Sequence, residues 1–260
     1  TYGSKNWFAK NSCAFPAGQV NVNRNLNQDI NSDLIMSVKK SLGQSFFITA
    51  SVGNNIYQSK SSGVSGVAAG IDIPDFYNMR NSSSVTPNEF TNEKRTAAFF
   101  GDLGLSYKSM LFLNATGREE WSTTMPATGN KFFYPSVSGG FVFTELPFLK
   151  DNKILSFGKI RSSFAIVAND AGTYNTTTYF FKAGSGDGWT NGVTFPFLGK
   201  GGFTLGDQMG NDLLKPEKMK SFEVGGELRF FMNRILVDFA YFHNENSDLL
   251  LGAPFVRRPG

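Results

Sequence analysis

KMKSFEVGGELRFFMNRILVDFAYFHNEN, residues 218–246, is the stretch whose reading decides the fold. Phe222, Val224, Leu228 and Phe230 fall on one side of a period-two pattern, and Glu223, Glu227 and Arg229 on the other. That alternation marks a strand with two unlike faces. FMNR at 231–234 separates the run from a second one, so the pair reads as a hairpin. Both runs exceed the usual five or six residues of a globular strand and suit a tilted strand that crosses a bilayer. A soluble β-sandwich can also alternate in this way, so the neighbouring sequence has to separate the two.

Moving outward, about eight such runs appear, at 30–39, 46–58, 95–107, 110–121, 134–144, 154–167, 218–230 and 235–246. Their connections alternate in length. KSLGQS at 40–45, KS at 108–109, ELPFLKDNK at 145–153 and FMNR at 231–234 are short, whereas 59–94, 122–133 and 168–217 are long and rich in Gly, Ser, Asn and Thr. Short turns at one end and long loops at the other are the habit of outer-membrane barrels, whose long loops are extracellular. On that orientation residues 30–39 descend and 46–58 ascend. A compact soluble domain seldom needs structureless loops beyond about 15 residues.

Aromatic residues gather at the strand ends. Tyr107, Phe112, Phe148, Phe230 and Phe231 lie by the short turns, and Tyr57, Trp121, Phe133, Tyr134, Tyr241 and Phe242 by the long loops, as two interfacial girdles would. The alternative is that they fill a sandwich core.

Composition agrees with an all-β chain. Hydrophobic residues make up 40% and charged residues 18%, enough to bury a sizeable apolar surface, and 27 Phe and 28 Gly favour strands and turns over helices. Apolar stretches such as MLFLNA at 110–115 fall short of the roughly 18 residues that a spanning helix needs. The net charge of +4 comes from scattered Lys and Arg without a basic stripe, which argues against nucleic acid. Cys13 is the single cysteine and His243 the single histidine, so neither a disulfide nor a zinc set is expected, and no cofactor is implied. The chain opens on TYGSKNWFAKNS without a leader and stops at FVRRPG just after a strand-like run. Both ends look cut. With the small inner-face residues Gly104, Ser106, Ser138, Gly140 and Ala165, this suggests contiguous wall from a barrel wider than eight strands. The fold expected is therefore an antiparallel transmembrane β-barrel, in part.

LLKPEKMKSFEVGGELRFFMNRILVDFAYFHNENSDLLL at 213–251 resembles the SusC/RagA-like TonB-dependent outer-membrane transporters of Bacteroidetes. RTAAFFGDLGLSYKSMLFLNATGREEWSTTMP at 95–126, YPSVSGGFVFTE at 134–145 and LSFGKIRSSFAIVAND at 155–170 follow that family's order, and DFYNMRNSSS at 75–84 is similar to its loop before a barrel hairpin. The resemblance implies a barrel of about 22 strands, of which residues 1–260 are wall. It also implies an N-terminal plug, a TonB energy-coupling complex reached through parts outside this sequence, a SusD-like surface lipoprotein, and a glycan or peptide substrate. No catalytic role is implied.

Candidate contact residues are few. GSGDGWTNG at 184–192 offers oxygens on Asp187 and Asn191 and a flat apolar face on Trp189, for substrate or partner, and is otherwise a plain solvated loop; one carboxylate departs from the calcium-loop pattern. Trp121, at a strand end, is either a girdle residue or a sugar-stacking platform. Tyr77, in the 75–84 segment, is a further candidate. Pro216 of LKPE fixes φ and starts a strand. Glu119 and Glu120 are strand neighbours on opposite faces and cannot act as an acid/base pair. His243 shares a face with Val237, Phe239 and Tyr241, facing lipid, while Asp238, Glu227, Arg229, Lys159 and Arg161 face the lumen. Asn81, Asn114 and Asn175 match a glycosylation triplet that carries little weight in a bacterium. Energy-coupled uptake is the leading function. A barrel scaffold within a larger outer-membrane assembly and a soluble all-β binding module are the alternatives.

Overall fold

The computed structural model describes residues 1–9, 17–150, 152–185, 193–206 and 209–252. Its strands are β1 (Tyr2–Phe8), β2 (Gln19–Leu42), β3 (Phe46–Ile71), β4 (Ser82–Tyr107), β5 (Leu111–Ser122), β6 (Lys131–Val142) and β7 (Leu155–Asn169). Four short strands follow, β8 (Phe180–Lys182), β9 (Gly184–Ser185), β10 (Val193–Thr194) and β11 (Phe203–Leu205), before β12 (Glu217–Phe230) and β13 (Ile235–Ser247). Nine of these form one sheet in the order β1-β2-β3-β4-β5-β6-β7-β12-β13, with antiparallel neighbours wherever the register is resolved. The small strands pair as β8 with β11 and β9 with β10. The chain divides into two compact units, residues 1–32 with 56–95, and residues 33–55 with 96–260.

The second unit carries the wall that the sequence predicts. Two-residue alternation places every strand's residues in cross-strand rows, one face after the other. One face holds the row Leu103, Ala115, Val137, Phe164, Phe222 and His243, and beside it the row Leu105, Leu113, Gly139, Ser162, Val224 and Tyr241. These apolar side chains stay exposed: Leu103 is 54% exposed, Leu113 52% and Tyr241 62%. A sheet face this apolar and this uncovered has lipid as its natural solvent. Along β4 the face begins at Phe99 and ends at Tyr107, eight residue steps. At about 3.3 Å each that is roughly 26 Å along the strand, or about 20 Å of height at the usual barrel tilt, most of a barrel's apolar band.

The other face of the same rows is polar: Asp102, Thr116, Ser136, Ala165, Ser221 and Asn244 in one row, Gly104, Asn114, Ser138, Ser163, Glu223 and Phe242 in the next. Its short turns are hairpins, as expected. Lys108 and Ser109 both have positive φ, 49° and 54°, and the Met110 N–H donates to the Tyr107 carbonyl, a type I′-like turn within the three-residue link between Tyr107 and Leu111. Phe231, Met232 and Asn233 are likewise left-handed in the β12–β13 turn.

In the first unit, β1 pairs with β2 from Tyr2 opposite Asn25 to Phe8 opposite Gln19. Val20, Ala68 and Ile71 are buried against one another, with Val22, Tyr77 and Met79 packed around them. Polar side chains cross-link the same strands: Ser61 donates to Asn27 at 2.8 Å and Tyr57 to Asp29 at 3.2 Å. Asn81 closes the 72–81 turn, accepting from the Ile73 N–H and donating to the carbonyls of Ile73 and Phe76, all within 2.9 Å.

The eight expected strands are all present, and three readings need correction. Residues 59–94 are not one long loop, since β3 continues to Ile71 and β4 starts at Ser82, leaving 72–81 as the connection. The first expected strand begins at Gln19 rather than at 30, and β1 precedes it, so the sheet has nine strands. Residues 168–217 contain four short strands. Serine, glycine and Pro87 hid the β3 and β4 extensions. Pro87 is tolerated because β5 pairs only with Thr96–Tyr107, so β4 before residue 96 has one unpaired edge among the described residues.

The aromatic girdles are also thinner than expected. Phe112, Tyr134 and Phe242 lie on the polar face, in rows with Gly140, Arg118 and Glu223, whereas Tyr107, Trp121, Phe133 and Tyr241 lie on the apolar one.

Candidate functional site

The polar face of the second unit gathers its charged and hydroxyl side chains, and glycine shapes it. Gly104, Gly140 and Gly225 sit on that face in alternate strands, β4, β6 and β12, where a longer neighbour occupies the space of each missing side chain. Lys159 lies across Gly140, its Cε 3.3 Å from where a Cβ would stand. Arg161 lies across Gly225, its Nε 3.1 Å from the corresponding point, and so reaches β13. The result is a concavity of about 560 Å³, walled by Phe47 and Phe112, by the polar groups of Thr49, Asn114, Ser138 and Ser163, and by Lys159, Arg161 and Glu223.

Charges along this wall are largely matched. Arg161 grips Asp238 with two parallel bonds of 2.9 and 3.0 Å, the fork geometry that guanidinium favours, and stands 3.8 Å from Glu223. Arg229 bonds Glu227 at 2.6 Å and stacks on Phe157. A second network joins Arg118 to Glu120 at 2.6 Å and to Asn55 at 3.2 Å, with Asn55 donating to Asp33 at 2.7 Å. It lines a neighbouring hollow of about 420 Å³ with Phe100, Asp102 and Thr116. The five lumen-facing charges expected from sequence therefore do share one face, and Asn55 and Arg118 join them. Period-two reading of 46–58 and 110–121 contained the signal, since Asn55 and Arg118 occupy the polar parity of their strands.

Glu119 and Glu120 point to opposite faces, as strand neighbours must. Glu119 pairs with Lys131 at 2.7 Å on the apolar side and Glu120 with Arg118 on the polar side.

At the long-loop end of the wall, Met125, Phe132 and Ala171 form a buried cluster with Tyr134, Leu214 and Leu250 against it. Beside it the Asp170 carboxylate accepts from Ser122 at 2.5 Å and Thr124 at 2.8 Å, and both hydroxyl residues are buried. This ties the connection after β5 to the one after β7. Sequence reading missed it because the partners lie 48 and 46 positions apart.

Two of the candidate contact residues are among the described residues, one in each unit. Trp121 lies on the apolar face, edge-on to Phe99 at 6.1 Å with the Lys131 ammonium 5.5 Å from its ring. Tyr77 lies in the first unit, stacked on Trp7 at 5.7 Å, its carbonyl accepting from Lys5 at 2.6 Å. Its phenol donates to Asp75, and that carboxylate holds the phenol above its ordinary pKa. Asp187, Trp189 and Asn191 lie outside the described residues.

Residues 1–259 match the family described as TonB dependent receptor-like, beta-barrel. TonB-dependent receptor P26 of Formosa agariphila is 26% identical over 236 residues, 88% of this chain and 23% of that receptor. TonB-dependent receptor P3 of the same organism is 26% identical over 180 residues, 68% of this chain and 17% of the receptor. The chain thus spans less than a quarter of these relatives' length. Among solved structures, the RagAB peptide transporter superimposes with a TM-score of 0.82 at 16% identity, over 98% of this chain and 27% of its own. The open-open state of the RagAB peptide importer gives 0.75 at 18% identity, over 93% and 26%. At such identities the structural likeness is one of fold. A sheet apolar and bare on one face and hydrogen-bonded and polar on the other is what that family needs in a membrane, and the chain belongs to it, as a SusC/RagA-like part of the TonB-dependent receptor β-barrel.

Proposed function

We propose that this chain is wall throughout residues 1–260 and that the receptor containing it imports a bulky nutrient, an oligosaccharide or a peptide, across the bacterial outer membrane. One observation carries the reading: the apolar residues of the second unit share one exposed face of the sheet, while charged and hydroxyl residues share the other and bond one another. Such a wall suits lipid outside and a hydrated, ligand-sized passage inside. On this reading the connections at 72–81, 123–130 and 170–216 are extracellular and the short turns periplasmic. A TonB-type complex supplies the energy through other parts of the receptor, and a SusD-like lipoprotein covers the extracellular side. Similarity to the RagAB peptide transporter supports the partner and the import, and it leaves both substrate classes in play.

Of the candidate contacts, Asp187, Trp189 and Asn191 belong to the loops that would meet ligand or lipoprotein first, with Tyr77 in the shorter loop. The place of Trp121 favours an interfacial anchor over a sugar platform. The test is deletion of the receptor gene followed by uptake of labelled oligosaccharide and peptide mixtures, with affinity purification of the receptor from outer membranes. Loss of uptake together with a co-purifying lipoprotein supports import. Unchanged uptake with a stable set of other partners favours the scaffold alternative.

A further inference from the structure

Cations that lie scattered along the sequence gather at one end of the wall. The short turns and their flanks, 39–45, 108–110, 143–154 and 231–234, carry Lys39, Lys40, Lys108, Lys150, Lys153 and Arg234 against Glu145 and Asp151. Six cations against two carboxylates leave four positive charges, which equals the net charge of the whole chain, so the other residues balance. All six are exposed, and among the described residues the ion pair of this rim is Lys150 with Glu145 at 3.7 Å. The turns form one strip rather than four separate tips. The Lys108 N–H donates to the Ser45 carbonyl at 2.7 Å, the Val142 N–H to the Met110 carbonyl at 2.8 Å and the Phe231 N–H to the Ile154 carbonyl at 2.8 Å. The β4–β5 and β6–β7 turns have strands of this chain on both sides.

This strip continues the apolar face rather than the polar one. Lys40 follows Leu34, Met36 and Val38 on the exposed apolar parity of β2. The Lys108 ammonium lies 5.3 Å from the centre of the Tyr107 ring, the last residue of the apolar face on β4. In the turns themselves Phe148 and Met232 stand 78% and 77% exposed. Cations beside bare apolar side chains mark a surface that meets lipid headgroups: the apolar groups enter the acyl boundary, and the charged heads stay at the phosphates. We infer that the short-turn rim binds the headgroups of anionic phospholipid in the leaflet it borders. The inference rests on the proposed orientation, with the short turns periplasmic, which makes that leaflet the periplasmic one. It holds whatever cargo the receptor carries.

The test uses the intact receptor purified in detergent and titrated with an equal mixture of phosphatidylglycerol and phosphatidylcholine of the same acyl chains. Retained lipid is counted by native mass spectrometry. The parent should keep phosphatidylglycerol about five- to tenfold over phosphatidylcholine, the scale of one or two cations at a headgroup. Combining Lys40→Gln, Lys108→Gln, Lys153→Gln and Arg234→Gln should bring that ratio close to one. A control of equal charge change at the long-loop end, Lys182→Gln, Lys200→Gln, Lys215→Gln and Lys218→Gln, should leave it as in the parent. Heat-modifiable migration on gels checks that each variant is folded. A parent ratio near one, or an equal loss in both variants, overturns the rim as a lipid site. So does binding to anionic cell-wall sacculi that the rim variant loses while no lipid preference is present, which gives the rim to the cell wall. Orientation is read separately, from Ser109→Cys and an impermeant maleimide. Labelling above the parent's background in intact cells overturns the orientation and the periplasmic leaflet with it. Protection until the outer membrane is opened, together with a lipid ratio near one, keeps the orientation and sinks the rim alone.

Discussion

The two units use the same alternating strand in opposite ways. In the first, a small apolar cluster is hidden, with Val20 and Ala68 0% exposed and Ile71 2%, while residues such as Val64 on the same strands stay exposed. In the second, the apolar residues are the uncovered ones, with Leu103, Leu113 and Tyr241 all above half exposed and the polar residues turned to the hydrogen-bonded side. The period is two in both cases, so the pattern alone does not say which face seeks cover. On the proposed reading, what differs is the surrounding solvent. β2, β3 and β4 are 24, 26 and 26 residues long, more than twice the roughly 9–11 that cross a bilayer. On the proposed reading, strands of that length have residues to spare beyond a bilayer crossing, and those residues lie in water.

That contrast can be broken at several points. The largest effect is expected from Ile71→Ala, which empties a fully buried site in the first unit and should cost about 2–5 kcal/mol. It is read as accelerated amide exchange over residues 64–71 of the intact receptor. Leu103→Ala, on the lipid-facing side, leaves no cavity and should move exchange in β4 little. Equal effects would erase the distinction between the units.

Next comes charge. Val137→Arg, on the outer apolar row, should lose about 2–4 kcal/mol of folding stability in lipid vesicles, measured by denaturant titration, because the guanidinium meets hydrocarbon. Val64→Arg in the first unit, where Val64 is 58% exposed, should stay within about 0.5 kcal/mol. A tolerated Val137→Arg would mean that this face is wet.

A smaller loss, about 1–3 kcal/mol, is expected from Asp170→Ala, which leaves the buried Ser122 and Thr124 hydroxyls without their shared acceptor. Protease nicking between 170 and 185 should quicken in the folded receptor, while the first unit keeps its exchange protection. Smallest is Lys131→Met, which removes the cation over Trp121 and should cost about 0.5–1 kcal/mol. The readout is the depth of Trp121 in the bilayer by quencher-labelled lipids, and an unchanged depth would detach Lys131 from any anchoring role.

Much of this was legible in advance, for reasons that differ between elements. The hairpin of β12 and β13 was read within one residue of its bounds because apolar and charged residues alternate without interruption and FMNR marks the turn. The polar face was legible from parity, which is why Lys159, Arg161, Glu227, Arg229 and Asp238 were assigned together. Phe112, Tyr134 and Phe242 were misassigned because closeness to a strand end was used where parity decides the face. Residues 59–71 were read as loop because Gly63, Gly66 and Gly70 resemble turn punctuation, although Gly63 is where Asn25 and Phe90 close in on the strand.

The sequence by itself determined the all-β class, the up-and-down order of the hairpins and the two faces of the wall, because those follow from chain connectivity and a period of two. Only the tertiary structure decided that β3 and β4 run on to Ile71 and back to Ser82, that Arg161 reaches Asp238 from 77 positions away, and that Asp170 gathers Ser122 and Thr124. These depend on the stagger between strands. Stagger is set by contacts across the whole sheet, and no local window of sequence contains it.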